Sequence, residues 1–94
     1  MRVKWLRQAL RNLADEAEYL GRDNPAVAQD MVAALSASIE LLSQQPALGR
    51  PGRLPGTREL VIQRYPFVVP YRVRNGVLEV LRIYHTARKP PMKW

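Results

Sequence analysis

The sequence lacks cysteine altogether and has a single histidine, His85. Without cysteine the chain can build neither a disulfide framework nor a thiolate metal site, and one imidazole cannot form a histidine cluster. We therefore expect neither a metal nor a cofactor. The first twenty residues carry charges throughout and do not resemble a signal peptide, and no apolar run approaches the roughly 20 residues that span a bilayer. The sequence thus predicts a cytoplasmic protein without a membrane segment.

Acidic residues are scarce in the second half of the chain. Residues 46–94 contain ten Lys/Arg and only Glu59 and Glu79, a net charge of +8, whereas residues 1–45 have a net charge of −1. A charge of one sign that is confined to one half creates an oriented field, and such a field attracts polyanions. A length of 94 residues fits one domain, 1–94, with too little apolar material for a deep substrate cavity. We therefore expect an anionic or acidic macromolecule, not a small metabolite, as the partner.

The first half predicts a short strand and two helices. Arg2 to Trp5 alternates between polar and apolar residues, which indicates the strand. Gly21 can end the first helix, and Asn24 with Pro25 can cap and start the second, which ends before Pro46. So short a turn predicts an antiparallel helical hairpin with both apolar stripes in the core. The stripes are Leu6, Leu10, Leu13, Ala17 and Leu20, then Val27, Met31, Leu35, Ile39 and Leu42.

The second half predicts a small antiparallel sheet. A basic loop rich in proline and glycine, 46–56, leads into strands at 58–62, 67–73 and 77–84. The fold class is therefore α+β, in the order β-α-α-β-β-β, with the helical hairpin packed on a mainly antiparallel sheet. Asn75-Gly76 favours a type I′ hairpin turn, which predicts a core face facing the helices. That face consists of Phe67, Val69, Tyr71, Val73, Leu78 and Val80.

The same turn sets the register of the hairpin. Arg72 should lie opposite Glu79 as an ion pair on the other face, and Pro70 should leave its strand bulged or unpaired. Further along, Val69 should face Arg82, and Phe67 should face Tyr84. Arg82 would then share the core face, and because a buried unpaired charge is costly, its head should reach a cleft at the edge of the core. There it could clamp a phosphate, or it could be a structural arginine whose stem packs while its head reaches water.

This order of elements, with a basic second half, resembles the RelE/ParE superfamily of toxins from bacterial type II toxin–antitoxin modules. The resemblance spans essentially the whole chain and implies inhibition by a small antitoxin encoded by the adjacent gene. Three segments carry it: Gly49-Arg50-Pro51 to Pro55-Gly56-Thr57-Arg58-Glu59-Leu60, Tyr65 to Val73, and Glu79 to His85.

The superfamily divides by target. RelE-like members are ribosome-dependent mRNA endoribonucleases, in which basic residues promote attack of an RNA 2′-hydroxyl on the adjacent phosphate. They present lysines on the strand after the loop and an arginine early in the next strand, where this sequence has Glu59-Leu60-Val61-Ile62 and Phe67-Val68-Val69. ParE-like members poison DNA gyrase, and many end in an Arg-x-x-His segment similar to Arg82-Ile83-Tyr84-His85. The resemblance therefore favours a gyrase inhibitor that is not an enzyme, with the endoribonuclease as the alternative.

Candidate site residues follow from the resemblance. The catalytic set, if the chain is a nuclease, is Arg58, Arg82, His85 and Arg88. The set for contact with the target or antitoxin is Arg50, Arg53, Arg58, Arg82, His85, Arg88, Lys89 and Trp94. His85 could transfer a proton near neutral pH, contact a partner, or simply end a strand. Residues 86–94 could be a docking element or a mobile tail.

A third alternative is a basic nucleic-acid-binding domain without a toxin role. A reader of the major groove needs a basic recognition helix. The first helix instead carries Asp15, Glu16 and Glu18, and the second helix is not basic either. The helices therefore disfavour this alternative.

Overall fold

A computed structural model describes residues 1–86 of the chain. It confirms the α+β class and the predicted order of the main elements, and it adds two short strands. The elements are β1 (Arg2–Trp5), α1 (Arg7–Gly21), α2 (Pro25–Gln44), β2 (Arg50–Pro51), β3 (Arg58–Ile62), β4 (Phe67–Arg74), β5 (Val77–Val80) and β6 (Tyr84–His85).

The strands form one sheet in the order β1-β5-β4-β3-β2, with β6 paired to β4. Only β1 runs parallel to its neighbour, β5, among the strands of residues 1–86, so the sheet is mainly antiparallel, as predicted. Asn75 and Gly76 both have positive φ, 53° and 73°, which suits the predicted hairpin turn. Arg72 lies opposite Glu79, which confirms the register near the turn.

The prediction of one continuous strand from 77 to 84 is wrong. β5 ends at Val80, and β6 then places His85, not Tyr84, opposite Phe67. The Leu81 amide donates to the Pro70 carbonyl at 2.9 Å, but proline has no N–H with which to return the second bond of that pair. Pro70 is therefore unpaired on the side of β5, as predicted, but it pairs with Glu59 on the side of β3. The predicted bulge is not in the strand of Pro70: one extra residue enters the opposite strand, between Val80 and Tyr84, before pairing resumes. The predicted pairing of Val69 with Arg82 is consequently wrong as well.

The apolar stripes of the two helices pack against one face of the sheet, which we call the covered face, and form a single core with it. On α2 the stripe is confirmed, and its buried members are Met31, Leu35, Ile39 and Leu42. By length and composition α2 could cross a membrane, but this stripe packs against Phe67, Val69, Tyr71, Leu78 and Val80 of the sheet. It is therefore the core helix of a globular domain.

Two predicted core positions are wrong. Leu10 is 51% exposed, whereas its neighbour Ala9 is fully buried. Successive residues of a helix are rotated by about 100° around its axis. Because Ala9 points into the core, Leu10 points away from it. Val73 is also exposed, because β4 extends beyond the point where β3 begins, opposite Tyr71, and lacks a neighbour on that side.

Candidate functional site

A tyrosine from the core holds the loop that joins α2 to β3. The buried Tyr71 hydroxyl donates to the Pro46 carbonyl at 2.7 Å and accepts from the Gly49 amide at 2.8 Å. Burial raises the pKa of the Tyr71 phenol, so the hydroxyl keeps its proton and can donate. A Cβ on Gly49 would lie 2.6 Å from the Tyr71 oxygen, so only glycine allows this close approach. The loop is therefore fixed to the covered side of the sheet.

Arg58, a candidate for catalysis and for contact, belongs to the same anchor. It lies opposite Tyr71 in the register. Its Nη1 donates to the carbonyl of Gly49 at 2.8 Å and to that of Ala47 at 3.3 Å. The guanidinium thus binds the backbone of the loop on the covered side.

Arg50 and Arg53, by contrast, lie beside Glu59 on the other side of the sheet, which points away from the helices and which we call the open face. The Glu59 carboxylate is only 5% exposed and accepts from Arg50 Nη2 at 3.3 Å and from the Arg53 amide at 3.2 Å. The Arg53 guanidinium Nε lies 3.8 Å from the same carboxylate, and the two arginine side chains remain 58% and 46% exposed. A charge-assisted contact to a buried carboxylate fixes both arginines and offsets part of their charge.

Tyr84 completes this cluster. Burial raises the pKa of its phenol, the charge of Glu59 raises it further, and Arg53 and Arg50 act in the opposite direction. We call Arg50, Arg53, Glu59 and Tyr84 the loop cluster. Sequence reasoning missed Glu59 and Tyr84, although one signal was available: Glu59 is the only acid between Glu40 and Glu79.

Arg82 lies in the segment that bulges between β5 and β6. It is half-buried, while Leu81 and Ile83 on either side are buried. Its Nη1 donates to the Leu81 carbonyl at 2.7 Å. Because the register shifts after Val80, the expected place of Arg82 on the face of Val69 is wrong.

His85 faces the helices. Its ring lies edge-on to Phe67, with centroids 5.7 Å apart. It lines a cavity of about 310 Å³ together with Glu16, Tyr19, Leu20, Tyr65, Pro66 and Phe67. Neither Arg50 nor Arg53 lines this cavity, since both lie on the open face of the sheet with Glu59.

The predicted site residues therefore do not converge. Arg50 and Arg53 are together in the loop cluster, but Arg58 and His85 lie on the covered side of the sheet. Arg82 lies in the bulge. Arg88, Lys89 and Trp94 are outside the described residues.

Four side chains lie on the open face where β3 and β4 pair with each other. Glu59 and Val61 on β3 and Val68 and Pro70 on β4 alternate with core residues and point away from the helices. Glu59, Val68 and Pro70 are buried. None of these four positions offers a cation.

Comparison with known proteins assigns the chain to a family. Residues 3–90 match the family model of the ParE toxin of the type II toxin–antitoxin system, parDE. The chain belongs to the ParE toxin family. This confirms the predicted membership of the RelE/ParE superfamily of toxins.

Two similar proteins are both named as toxins. The Y4kP protein of Sinorhizobium fredii, named a putative toxin, is 38% identical to this ParE-family chain over 90 residues, which cover 96% of this chain and 93% of that protein. Toxin RelE2 of Caulobacter vibrioides is 35% identical over 86 residues, which cover 92% and 96% of the two chains.

Solved structures share the fold. A chain of the chromosomal ParDE TA system from P. aeruginosa superposes with a TM-score of 0.83 and 31% identity, over 90% of this chain and 95% of that chain. A chain of the RelBE2 toxin–antitoxin complex from Mycobacterium tuberculosis superposes with a TM-score of 0.59 over 89% and 95% of the two chains. At 22% identity, this second similarity concerns the fold alone.

Proposed function

We propose that this ParE-family toxin inhibits DNA gyrase in the cytoplasm and that an acidic antitoxin encoded by the adjacent gene neutralises it. The open face of β3 and β4 carries the proposal. RNA cleavage needs cations that hold the phosphate and a group that moves the proton. Where β3 and β4 pair with each other, the four positions on this face are a carboxylate and three apolar side chains, Glu59, Val61, Val68 and Pro70. This composition supports inhibition of a protein target over phosphoryl chemistry.

The positions of the candidate nuclease residues support the same choice. Catalytic groups must converge within about 3 Å of the reacting atoms. Arg58 binds loop carbonyls on the covered side, and Arg82 donates to the Leu81 carbonyl. His85 lies against Phe67. We therefore assign His85 to partner contact and not to proton transfer.

A ribosome-dependent endoribonuclease is the second candidate. The observation that favours it is the 35% identity to the toxin named RelE2. The two candidates differ in their need for a base, because a gyrase inhibitor acts through contact and needs no proton acceptor of its own.

The test combines gyrase, supercoiled DNA and the purified toxin. We expect loss of supercoiling or accumulation of cleaved DNA, and we expect His85→Ala to weaken the effect only partly. Ser36→Ala, at an exposed position on α2, is the control and should retain full activity. Cleavage of mRNA on translating ribosomes, abolished by His85→Ala while gyrase is unaffected, would replace the proposal with the endoribonuclease.

For the antitoxin, a groove beside α2 is the contact surface that we propose. β2 pairs only with Arg58 and Glu59, so in the described part of the chain no strand lies beside the outer edge of β3 from Leu60 to Ile62. An unpaired edge of this kind accepts an added strand. Next to it is an apolar cavity of about 360 Å³, lined by Ala34, Ser38, Leu41, Leu48, Leu60, Val61, Ile62, Gln63 and Arg64.

Charge favours an acidic occupant for this groove. The chain has a net charge of +7. An acidic segment that folds on binding would be attracted by this charge and would bury the exposed Leu41, Leu48 and Val61. We expect Leu41→Asp to weaken antitoxin binding at least tenfold in calorimetry. Leu10→Asp, at an equally exposed leucine on α1, should bind as the wild type does, and equal losses in both variants would exclude the groove.

A further inference from the structure

The open face of the sheet carries a second group of cations at the end near the β4–β5 turn. Val3 and Trp5 of β1 pack against the core, so Arg2 and Lys4, which alternate with them, point to the open face. On β4 the same alternation with the buried Tyr71 places Arg72 and Arg74 there. We call Arg2, Lys4, Arg72 and Arg74 the strand-end patch; none of them was a candidate site residue.

Glu79 lies in the middle of the strand-end patch. It is opposite Lys4 on one side and Arg72 on the other, and it accepts from Arg72 Nε at 2.6 Å. That hydrogen bond lowers the pKa of Glu79, and the charges of Arg72, Arg74 and Lys4 lower it further. Three of the four cations thus act on one carboxylate, and Arg2, Lys4 and Arg74 form no ion pair with any residue from 1 to 86.

The patch is separate from the loop cluster. β1 is one edge strand of the sheet and β2 is the other. Arg2 and Lys4 are on the first, and Arg50 is on the second. The two sets of cations thus share one face but no residue, and the strand-end patch is the set without a buried carboxylate.

Strand geometry fixes the spacing of these cations. Residues two apart on one strand are about 7 Å apart, and β1 and β4, which flank β5, are about 10 Å apart. Arg2, Lys4 and Arg74 are exposed, and Arg72 is half-buried. The result is a largely exposed surface with a net excess of three positive charges.

The composition of the patch selects the kind of partner. Charged residues are depleted at the centre of protein–protein interfaces, where apolar side chains are needed. Among residues 1–86, Val77 is the only apolar side chain that the strand register places between these cations. Single-stranded nucleic acid requires aromatic side chains that stack on bases, and the patch has none. Binding to the backbone of a duplex requires only cations that reach phosphates.

We propose that the strand-end patch binds the phosphate backbone of double-stranded DNA without sequence preference. The proposal goes beyond the proposed inhibition of gyrase and does not depend on it, since it requires no protein target. Each cation that binds a phosphate releases condensed counterions, so binding must weaken steeply with salt.

The experiment measures anisotropy of a labelled DNA duplex with the full chain over a series of salt concentrations. The test variant replaces Arg2, Lys4 and Arg74 with glutamine. The matched control replaces Arg7 and Arg11 on α1 and Arg22 directly after it, which are also exposed, with glutamine, so the net charge of the two variants is the same. Thermal unfolding of both variants verifies that they fold.

We expect the affinity of the test variant for the duplex to fall at least tenfold at about 50 mM salt. The slope of log K against log salt should decrease in magnitude by about 0.9 for each phosphate that the variant no longer neutralises. The control should retain the wild-type slope. Equal losses of affinity in both variants would show that binding depends only on the net charge of the chain, which would overturn the proposal. Preference for duplex RNA, for a single strand or for polyglutamate would likewise overturn the assignment to DNA.

Discussion

The two faces of the sheet use the same strands for different purposes. On the covered face, Tyr71, Leu78 and Val80 are buried against the helices. On the open face, the residues that alternate with them are Arg72, Arg74 and Glu79, and these carry the charge. Because side chains on a strand alternate between faces, stability and partner binding are assigned to adjacent positions of one strand. Substitutions one residue apart should therefore have different effects.

The largest difference is expected at Leu78 and Val77. Leu78→Ala removes a fully buried side chain and should lower the free energy of unfolding by about 2–5 kcal/mol. Val77→Ala, on the open face and half-buried, should cost at most about 1 kcal/mol. Urea denaturation measures both, and similar decreases at the two positions would show that the open face also contributes to the core.

Tyr71→Phe sharpens the comparison within the covered face. The ring stays, but the Pro46 carbonyl and the Gly49 amide are both left without their hydroxyl partner, which should cost about 1–3 kcal/mol in urea denaturation. Tyr19→Phe, at an exposed tyrosine, should change stability by less than about 0.5 kcal/mol.

A pH series provides a second readout for Tyr71. Its folded pKa is raised, so its contribution is present below the unfolded tyrosine pKa of about 10 and disappears as pH rises through the folded pKa. Denaturation midpoints at alkaline pH should therefore fall less in Tyr71→Phe than in the wild type. An unchanged alkaline profile would contradict the role of the buried hydroxyl.

A small loss of stability is expected on substitution of Glu79, together with a gain in binding to DNA. Glu79→Gln breaks a partly exposed ion pair and should cost less than about 1 kcal/mol. The folded pKa of Glu79 is lowered, so its contribution is present above the unfolded pKa of about 4.3 and disappears as pH falls through the folded value. In an acid titration followed by circular dichroism, the variant should lack this part of the decrease in stability.

Glu79→Gln also removes the carboxylate that lies among the cations of the strand-end patch, so affinity for duplex DNA should rise severalfold. Glu40→Gln changes the net charge equally at an exposed position on α2 and should leave DNA affinity nearly unchanged. A decrease in DNA affinity for Glu79→Gln would show that Glu79 supports the patch by positioning Arg72.

Local sequence patterns predicted most of the fold. The α2 stripe from Met31 to Leu42 and the Asn75-Gly76 turn were both confirmed, because period and turn chemistry are properties of short segments. The prediction that Leu10 lies in the core was wrong, since packing in the folded domain buries Ala9 instead and no local pattern records that packing. At Pro70 the break was predicted, but the added residue after Val80 was not.

The site was less predictable for the same reason. Arg50 and Arg58 are close in sequence, yet they lie on opposite faces of the sheet. The pairing of β3 with β4 determines which face Arg58 occupies, and no turn signal in the sequence predicts that pairing. The role of Glu59 depends on the fold of the loop over the open face. Arg2 and Lys4 join Arg72 only because β1 pairs with β5.

That parallel pairing also affects how the chain folds during synthesis. β1 is synthesised first, but within residues 1–86 its only neighbour in the sheet is β5, so Arg2 cannot pair until Val77 has been synthesised. Contacts so distant in sequence make folding slow, and until they form the first strand remains unpaired. We therefore expect the nascent toxin to stay unfolded on the ribosome until nearly all of the described chain has emerged, so the strand-end patch is assembled only after translation is almost complete.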